Sequence, residues 1–194
     1  MKYIILDLDD TLIKSISYNK KNLKKVKLTK YKYKILEIYQ YDDITNNIYK
    51  INIITIKRPY LNKFLKYLDK NFKVYIWTNG EKSYAFEIYQ NFFNIKVDFI
   101  LHRDASVYNT EHKIYTKDIS KINDIINEMS NEMSNEMSNE NNYFLIDDLK
   151  NNLITYKYGY QIKQFDPFEK YKDEELNLET NLELKTKLIN FSEN

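Results

Sequence analysis

The chain has no cysteine. That excludes disulfides, thiolate zinc sites and every mechanism that uses a cysteine nucleophile. A reducing intracellular location, cytoplasm or nucleus, fits this absence. Glycine, proline, alanine and arginine occur twice each in 194 residues, and tryptophan once. Lysine, asparagine, isoleucine and tyrosine are abundant instead, as an AT-rich coding sequence would produce. The common residues therefore say little, and the rare ones more: Arg58, Arg103, Pro59, Pro167, Gly80, Gly159 and Trp77. No apolar run approaches the roughly 20 residues that a membrane span needs, so no membrane association is expected. A strand-like pattern begins at once, which argues against a signal peptide. The net charge of +2 carries no global nucleic-acid signature.

Charge is nonetheless unevenly distributed. Residues 14–34 hold nine lysines and no acid, whereas the segment from Asp166 onward holds eight acids and four lysines. The lysine run reads either as a solvated surface segment or as a basic rim that draws in anions.

Five short apolar segments read as buried strands: Tyr3–Leu8, Phe72–Thr78, Val97–Leu101, Tyr143–Asp147 and Tyr160–Phe165. Helical patterns lie between most of them. Pro59 opens one, with Leu61, Phe64, Leu65 and Leu68 on its apolar face. Tyr84, Ala85, Ile88 and Phe92 mark a second, and Ile119, Ile122 and Ile126 a third. A last helix is expected over Asp173–Ile189. The alternation predicts an α/β fold with a parallel sheet covered on both faces. Residues 15–57 break it. Their β-favouring clusters, Tyr31–Tyr41 and Ile48–Ile56, predict an inserted hairpin or flap after the first strand. Residues 127–142 carry a tandem NEMS repeat, read as an insertion tolerated at the surface. Its Met129, Met133 and Met137 would drift around a helix as a slanting stripe. One domain spanning 1–194 is expected.

Chemistry concentrates where the strands end. Asp7-Leu8-Asp9-Asp10-Thr11-Leu12 follows the first strand, and Asp7 and Asp9 face the same way. Like charges so close are costly unless neutralised, and Mg²⁺ suits hard oxygen ligands. One carboxylate could then attack phosphorus while the other moves protons. Thr78-Asn79-Gly80 ends the second strand, and Asp147-Asp148 ends the fourth. Lys117 opens the third helix, with Lys113 as its nearest competitor. In an open parallel sheet these ends share one crevice.

Taken in order, these segments resemble the four motifs of the haloacid dehalogenase (HAD) superfamily. The resemblance implies its Rossmann-like three-layer α/β/α fold. It further implies that Asp7 is the nucleophile and forms an aspartyl-phosphate, with Asp9 as general acid and base. Thr78, Asn79 and Lys117 would hold phosphoryl oxygens. Asp7, the Asp9 carbonyl, Asp147 and Asp148 would hold Mg²⁺.

Further segments are similar to the FCP/SCP family, phosphatases acting on the C-terminal domain of RNA polymerase II. They are Arg58-Pro59-Tyr60 with Phe64-Leu65, Ser83-Tyr84-Ala85, Leu101-His102-Arg103-Asp104, Tyr115–Ser120 and Asp173–Leu176. By this resemblance Arg103 would contact the substrate phosphate, its fork meeting two oxygens. Two departures stand out. The family's Gly after Arg-Pro is Tyr60 here, and its Asp-Asn pair is Asp147-Asp148. The expected activity is Mg²⁺-dependent hydrolysis of phosphoserine or phosphothreonine in a phosphoprotein, such as a polymerase-tail-like segment. The alternatives are a phosphatase of nucleotides or nucleic-acid ends, and a catalytically silent binding module of the same fold.

Overall fold

The computed structural model describes residues 2–42, 45–110, 113–129 and 140–193. Strand β1 (Tyr3–Leu6) leads into β2 (Ile13–Ser17), α1 (Lys20–Lys27), β3 (Tyr33–Asp42) and β4 (Asn47–Lys57). Then follow α2 (Leu61–Asn71), β5 (Lys73–Trp77), α3 (Lys82–Phe92) and β6 (Phe99–Leu101). A small hairpin, β7 (Val107–Asn109) and β8 (Ile114–Thr116), precedes α4 (Ile119–Met129). Strands β9 (Tyr143–Asp147) and β10 (Tyr158–Gln161) and helix α5 (Leu182–Glu193) complete the order. Residues 130–139, with Met133 and Met137, lie outside the described residues.

The main sheet has the order β10-β9-β1-β5-β6, and all its pairings are parallel. Side chains alternate across it. Ile4, Leu6, Val74, Ile76, Phe144 and Ile146 pack beneath α2, α3 and α5. Tyr3, Ile5, Tyr75, Trp77, Tyr143 and Leu145 face the other way, where Ile119 and Ile122 of α4 cover them. Both faces are buried, which explains why these strands read as continuous apolar runs.

The flap is an antiparallel sheet of order β2-β4-β3, as expected for the inserted segment. It also contains α1, a helix that hydrophobic periodicity does not announce. Asn19 caps it, accepting from the Asn22 N–H at 2.8 Å. Val26 fixes it by packing against Ile54, Ile56 and Phe165. The last helix begins at Leu182 rather than Asp173. Asp173 is drawn into a buried ion pair, and residues 174–181 turn instead. Asn181 then caps α5 by accepting from Leu184 N–H at 3.1 Å. The final strand lies two to four residues earlier than expected, at Tyr158–Gln161, paired with β9. Among the described residues, no helix is long and apolar enough to cross a membrane.

Candidate active site

Three parallel neighbours, β9, β1 and β5, end side by side. Their carboxyl ends carry Asp147, Asp7 and Thr78. The Asp7 N–H donates to Ile146 O at 3.0 Å, and the Thr78 N–H to Leu101 O at 3.0 Å. Backbone pairing thus fixes both residues at the sheet's rim.

Lys117 lies between β8 and α4, fully buried. Its Nζ donates to Asp7 Oδ1 at 2.5 Å and Asp147 Oδ2 at 2.6 Å. Lys113 is exposed, with a φ of 52°, and takes no part. Asn152, only a candidate for a structural hydrogen bond from sequence, orients this group. It donates to Asp147 Oδ2 at 2.9 Å and accepts from the Lys117 N–H at 3.4 Å. Asp147 Oδ1 accepts from the Leu149 N–H at 2.8 Å. Asp148 is tied to the first loop by the Thr11 hydroxyl, which donates to its Oδ1 at 3.2 Å and accepts its N–H at 3.1 Å. Carboxylate oxygens of Asp7, Asp147 and Asp148 lie within 4.8 Å of one another.

Electrostatics follow from that crowding. Burial pushes the Asp7 carboxyl well above its usual range, offset only in part by Lys117. Burial alone would lower the Lys117 pKa, but Asp7 and Asp147 outweigh it, so the ammonium stays charged. The Asp148 carboxyl is pushed up to about 6, chiefly by burial and then by Asp147 and Asp10. One lysine among three carboxylates leaves excess negative charge in a partly desolvated cleft. A hard divalent cation would neutralise it, and the donor set fits such an ion.

Asp9 sits beside this group. Its carboxylate accepts from the Tyr84 hydroxyl. That hydroxyl also meets Ser15 Oγ at 2.8 Å, and Ser15 Oγ meets Thr55 Oγ1 at 2.9 Å. Helix α3 thus couples the Asp9 carboxylate to the flap. Burial raises the Asp9 carboxyl, while the Tyr84 bond pulls it back. In the sequence, Tyr84 registers only as part of an apolar face and a family-like tripeptide. A side chain on Gly80 would place its Cβ 2.6 Å from the Tyr84 ring, so glycine there lets Tyr84 reach Asp9.

Asp10 gains a role the sequence does not supply. It adopts a left-handed φ of 61°, which aspartate tolerates better than most residues. Its Oδ1 pairs with Lys14 at 2.5 Å, and its Oδ2 accepts from Gln164 at 2.6 Å. Its carbonyl accepts from the Phe165 N–H at 2.7 Å. It shapes the loop through these three contacts.

The phosphate-binding candidates divide. The Thr78 hydroxyl accepts from the Gly80 N–H at 3.0 Å and is buried at the site. The Asn79 amide is occupied, donating to Tyr115 O at 3.1 Å and accepting from Ser106 Oγ at 2.8 Å. Ser106 in turn accepts from Trp77 Nε1 at 3.0 Å. Arg103 stays at the rim. Its Nε donates to Asn79 O at 2.9 Å and its guanidinium lies 5.8 Å from the Tyr115 ring.

Arg58, by contrast, is buried behind the first loop. It meets both Asp173 carboxylate oxygens, at 2.9 to 3.1 Å, and donates to Thr11 O and Lys163 O at 2.7 Å each. Two of the five segments that looked family-like in sequence are thus partners across 115 positions. Tyr60, where the family has glycine, holds a left-handed φ of 61°.

The five-stranded parallel sheet, with Asp7, Asp9, Thr78 and the acidic pair at its carboxyl edge, defines a HAD-fold protein. Solved structures agree. The RNA polymerase II CTD phosphatase Fcp1 superposes with a TM-score of 0.63 at 15% identity, covering 98% of this chain and 48% of that one. A fission yeast Fcp1 variant bound to beryllium fluoride gives 0.60 at 15%, covering 98% and 50%. The chain belongs to the NLI interacting factor-like phosphatase family, whose model matches residues 2–193. It is similar to the CTD phosphatase-like protein of Invertebrate iridescent virus 3, 31% identical over 134 residues, 63% of this chain and 66% of that protein. The corresponding protein of Invertebrate iridescent virus 6 is 30% identical over 163 residues, 77% and 78% of the two chains. The chain spans about half the length of the solved Fcp1 chains it matches.

Proposed function

We propose that this chain is a Mg²⁺-dependent phosphatase of phosphoserine or phosphothreonine in exposed polypeptide segments, working through an aspartyl-phosphate on Asp7. The observation that carries the reading is the convergence of Asp7, Asp147 and Asp148 within 4.8 Å, with Lys117 buried among them. Asp7, Asp147, Asp148 and the Asp9 carbonyl would hold the ion. When bound, it screens an anionic nucleophile from an anionic substrate.

The chain's own residues account for the rest. Lys117 and the Thr78 hydroxyl receive the phosphoryl oxygens, with Arg103 at the rim. The Asp7 carboxylate attacks phosphorus, and the ester P–O bond breaks. Asp9 gives its proton to the leaving serine or threonine oxygen. Burial raises the Asp9 carboxyl, which favours holding that proton until transfer. Asp9 then takes a proton from water, whose oxygen attacks phosphorus and frees Asp7 and inorganic phosphate. Tyr84 keeps Asp9 aimed throughout. Little else is needed, because phosphoryl transfer relies on positioning and charge.

A polypeptide substrate is supported by what lies beside the site. Tyr39, Tyr41 and Ile48 of the flap and Phe86 of α3 are exposed. They line an open groove of about 500 Å³ that reaches Glu81, one residue from Gly80. The viral relatives and Fcp1 are described as CTD phosphatases or as CTD phosphatase-like, which supports a polymerase-tail-like substrate.

The test is hydrolysis of p-nitrophenyl phosphate with Mg²⁺ or with EDTA. Activity should require Mg²⁺ and fall about a thousandfold or more in Asp7→Asn. Full activity in that variant would sink the mechanism. Faster turnover of a 5′-phosphorylated oligonucleotide than of any phosphopeptide would overturn the substrate.

A further inference from the structure

A cavity of about 520 Å³ opens at the base of the flap, between the start of β3, the end of β4 and the first turn of α2. Lys30, Lys32, Lys57, Lys63 and Lys172 line it. Lys63 and Lys172 are neutralised by Glu179 and Glu174. Lys30, Lys32 and Lys57 have no ion-pair partner among the described residues. The nearest polar contact of Lys57 is the uncharged Asn62 Oδ1, at 2.5 Å. Burial and the neighbouring Lys32 and Lys34 all press against the Lys57 charge. Among the described residues, the only acid in the wall is Asp173, already spent on Arg58.

Helix α2 adds to this potential. Its first turn lines the cavity without a side-chain cap and without an acidic residue. An uncapped helix start carries partial positive charge. Tyr31 and Tyr60 supply apolar walls. Because α2 runs back along the sheet into β5, its start lies at the same end as Asp7 and Asp147. The link is one side chain long: Arg58 lines the cavity and donates to Thr11 O at 2.7 Å.

We propose that this cavity is a second phosphate-recognition site, which holds another phosphoserine or phosphothreonine of the same polypeptide while the first is hydrolysed at Asp7. The proposal rests on the phosphopeptide reading above. It makes the chain selective for multiply phosphorylated segments, and the bound second phosphate is not itself cleaved.

The test compares peptides carrying one phosphoserine with peptides carrying two at a series of spacings. At one preferred spacing the second phosphate should lower KM roughly five- to tenfold, with kcat unchanged, and the gain should shrink with added salt. Replacing Lys30, Lys32 and Lys57 by Gln should remove the gain. It should leave p-nitrophenyl phosphate and singly phosphorylated peptide turnover as they were. Lys32→Glu alone, at an exposed position, repeats the test without risk to folding. Equal KM values at every spacing, or a gain that survives the lysine variants, would overturn the proposal. Fluorescence anisotropy of the same peptides in EDTA reads the cavity independently of chemistry. If no phosphopeptide is hydrolysed yet doubly phosphorylated peptide still binds more tightly through these lysines, the functional reading fails and the cavity assignment stands. If only oligonucleotide binding depends on the lysines, the occupant is nucleic acid and the proposal falls.

Discussion

Two buried ion clusters flank the first loop, and they differ in balance. Arg58 and Asp173 are a matched pair, and the guanidinium also donates to Thr11 O and Lys163 O. One positive and one negative charge cancel within that pair. Lys117 faces Asp7 and Asp147, with Asp148 close by, and the charge does not close. Arg58, Asp173, Lys117 and Asp147 are all buried and hydrogen-bonded, so burial is common to both clusters. Imbalance is what separates the cluster proposed to be reactive from the structural one.

The strongest way to break this comparison is to remove one charged partner from each cluster. Lys117→Met should lower Mg²⁺-dependent hydrolysis about a thousandfold, since in the proposed mechanism Lys117 faces both the nucleophile and the phosphoryl group. Activity within tenfold of the parent would contradict its role. Asp173→Ala leaves Arg58 buried and unpaired, which should cost about 3–5 kcal/mol of stability in denaturant titration. The folded fraction should keep its turnover. Loss of kcat without loss of stability would mean that the pair is not merely structural.

Metal sharpens the contrast further. Asp148 is raised to about 6 and Asp7 and Asp9 are raised as well, chiefly by burial. The folded state therefore binds more protons than the unfolded chain between the ordinary carboxyl range and those raised values. Metal-free stability should fall as pH rises from about 4 through about 6, where Asp148 gives up its proton, and should not recover above it. Mg²⁺ at about 100 times its Kd should restore roughly 2.7 kcal/mol near neutral pH. Thermal melts with EDTA and with Mg²⁺ would show both effects, and a metal-free melt indifferent to pH would remove the charge imbalance. The smallest effect belongs to the loop. Asp10→Ala at a left-handed φ should cost about 1–2 kcal/mol, and Asp10→Gly less.

The strands were legible because burial on both faces leaves continuous apolar runs, and Tyr143–Asp147 matches its expected limits. The site motifs were legible because each sits where a strand ends. What stayed hidden needed distant partners. Helix α1 has only Leu23 and Val26 as apolar residues, and it exists because Phe165, Ile54 and Ile56 wait for Val26. Helix α5 starts late because Asp173 is committed to Arg58. The tie between Tyr84 and Asp9 spans 75 positions, and a helix-face tyrosine looks like core until its hydroxyl is located. Asn79 matched a motif, but its amide is taken by Tyr115 and Ser106. No local pattern predicts that.

The tethering of the first loop sets an order of events during synthesis. Thr11 O, Asp10 O and the Asp10 carboxylate are held by Arg58, Phe165 and Gln164, and Arg58 is itself held by Asp173. Residues at the start of the chain therefore take their final shape only after those some 150 positions later have emerged. A nascent chain stopped before Asp173 would carry every residue proposed to handle phosphate, from Asp7 to Asp148, yet lack the carboxylate that holds Arg58 against its first loop.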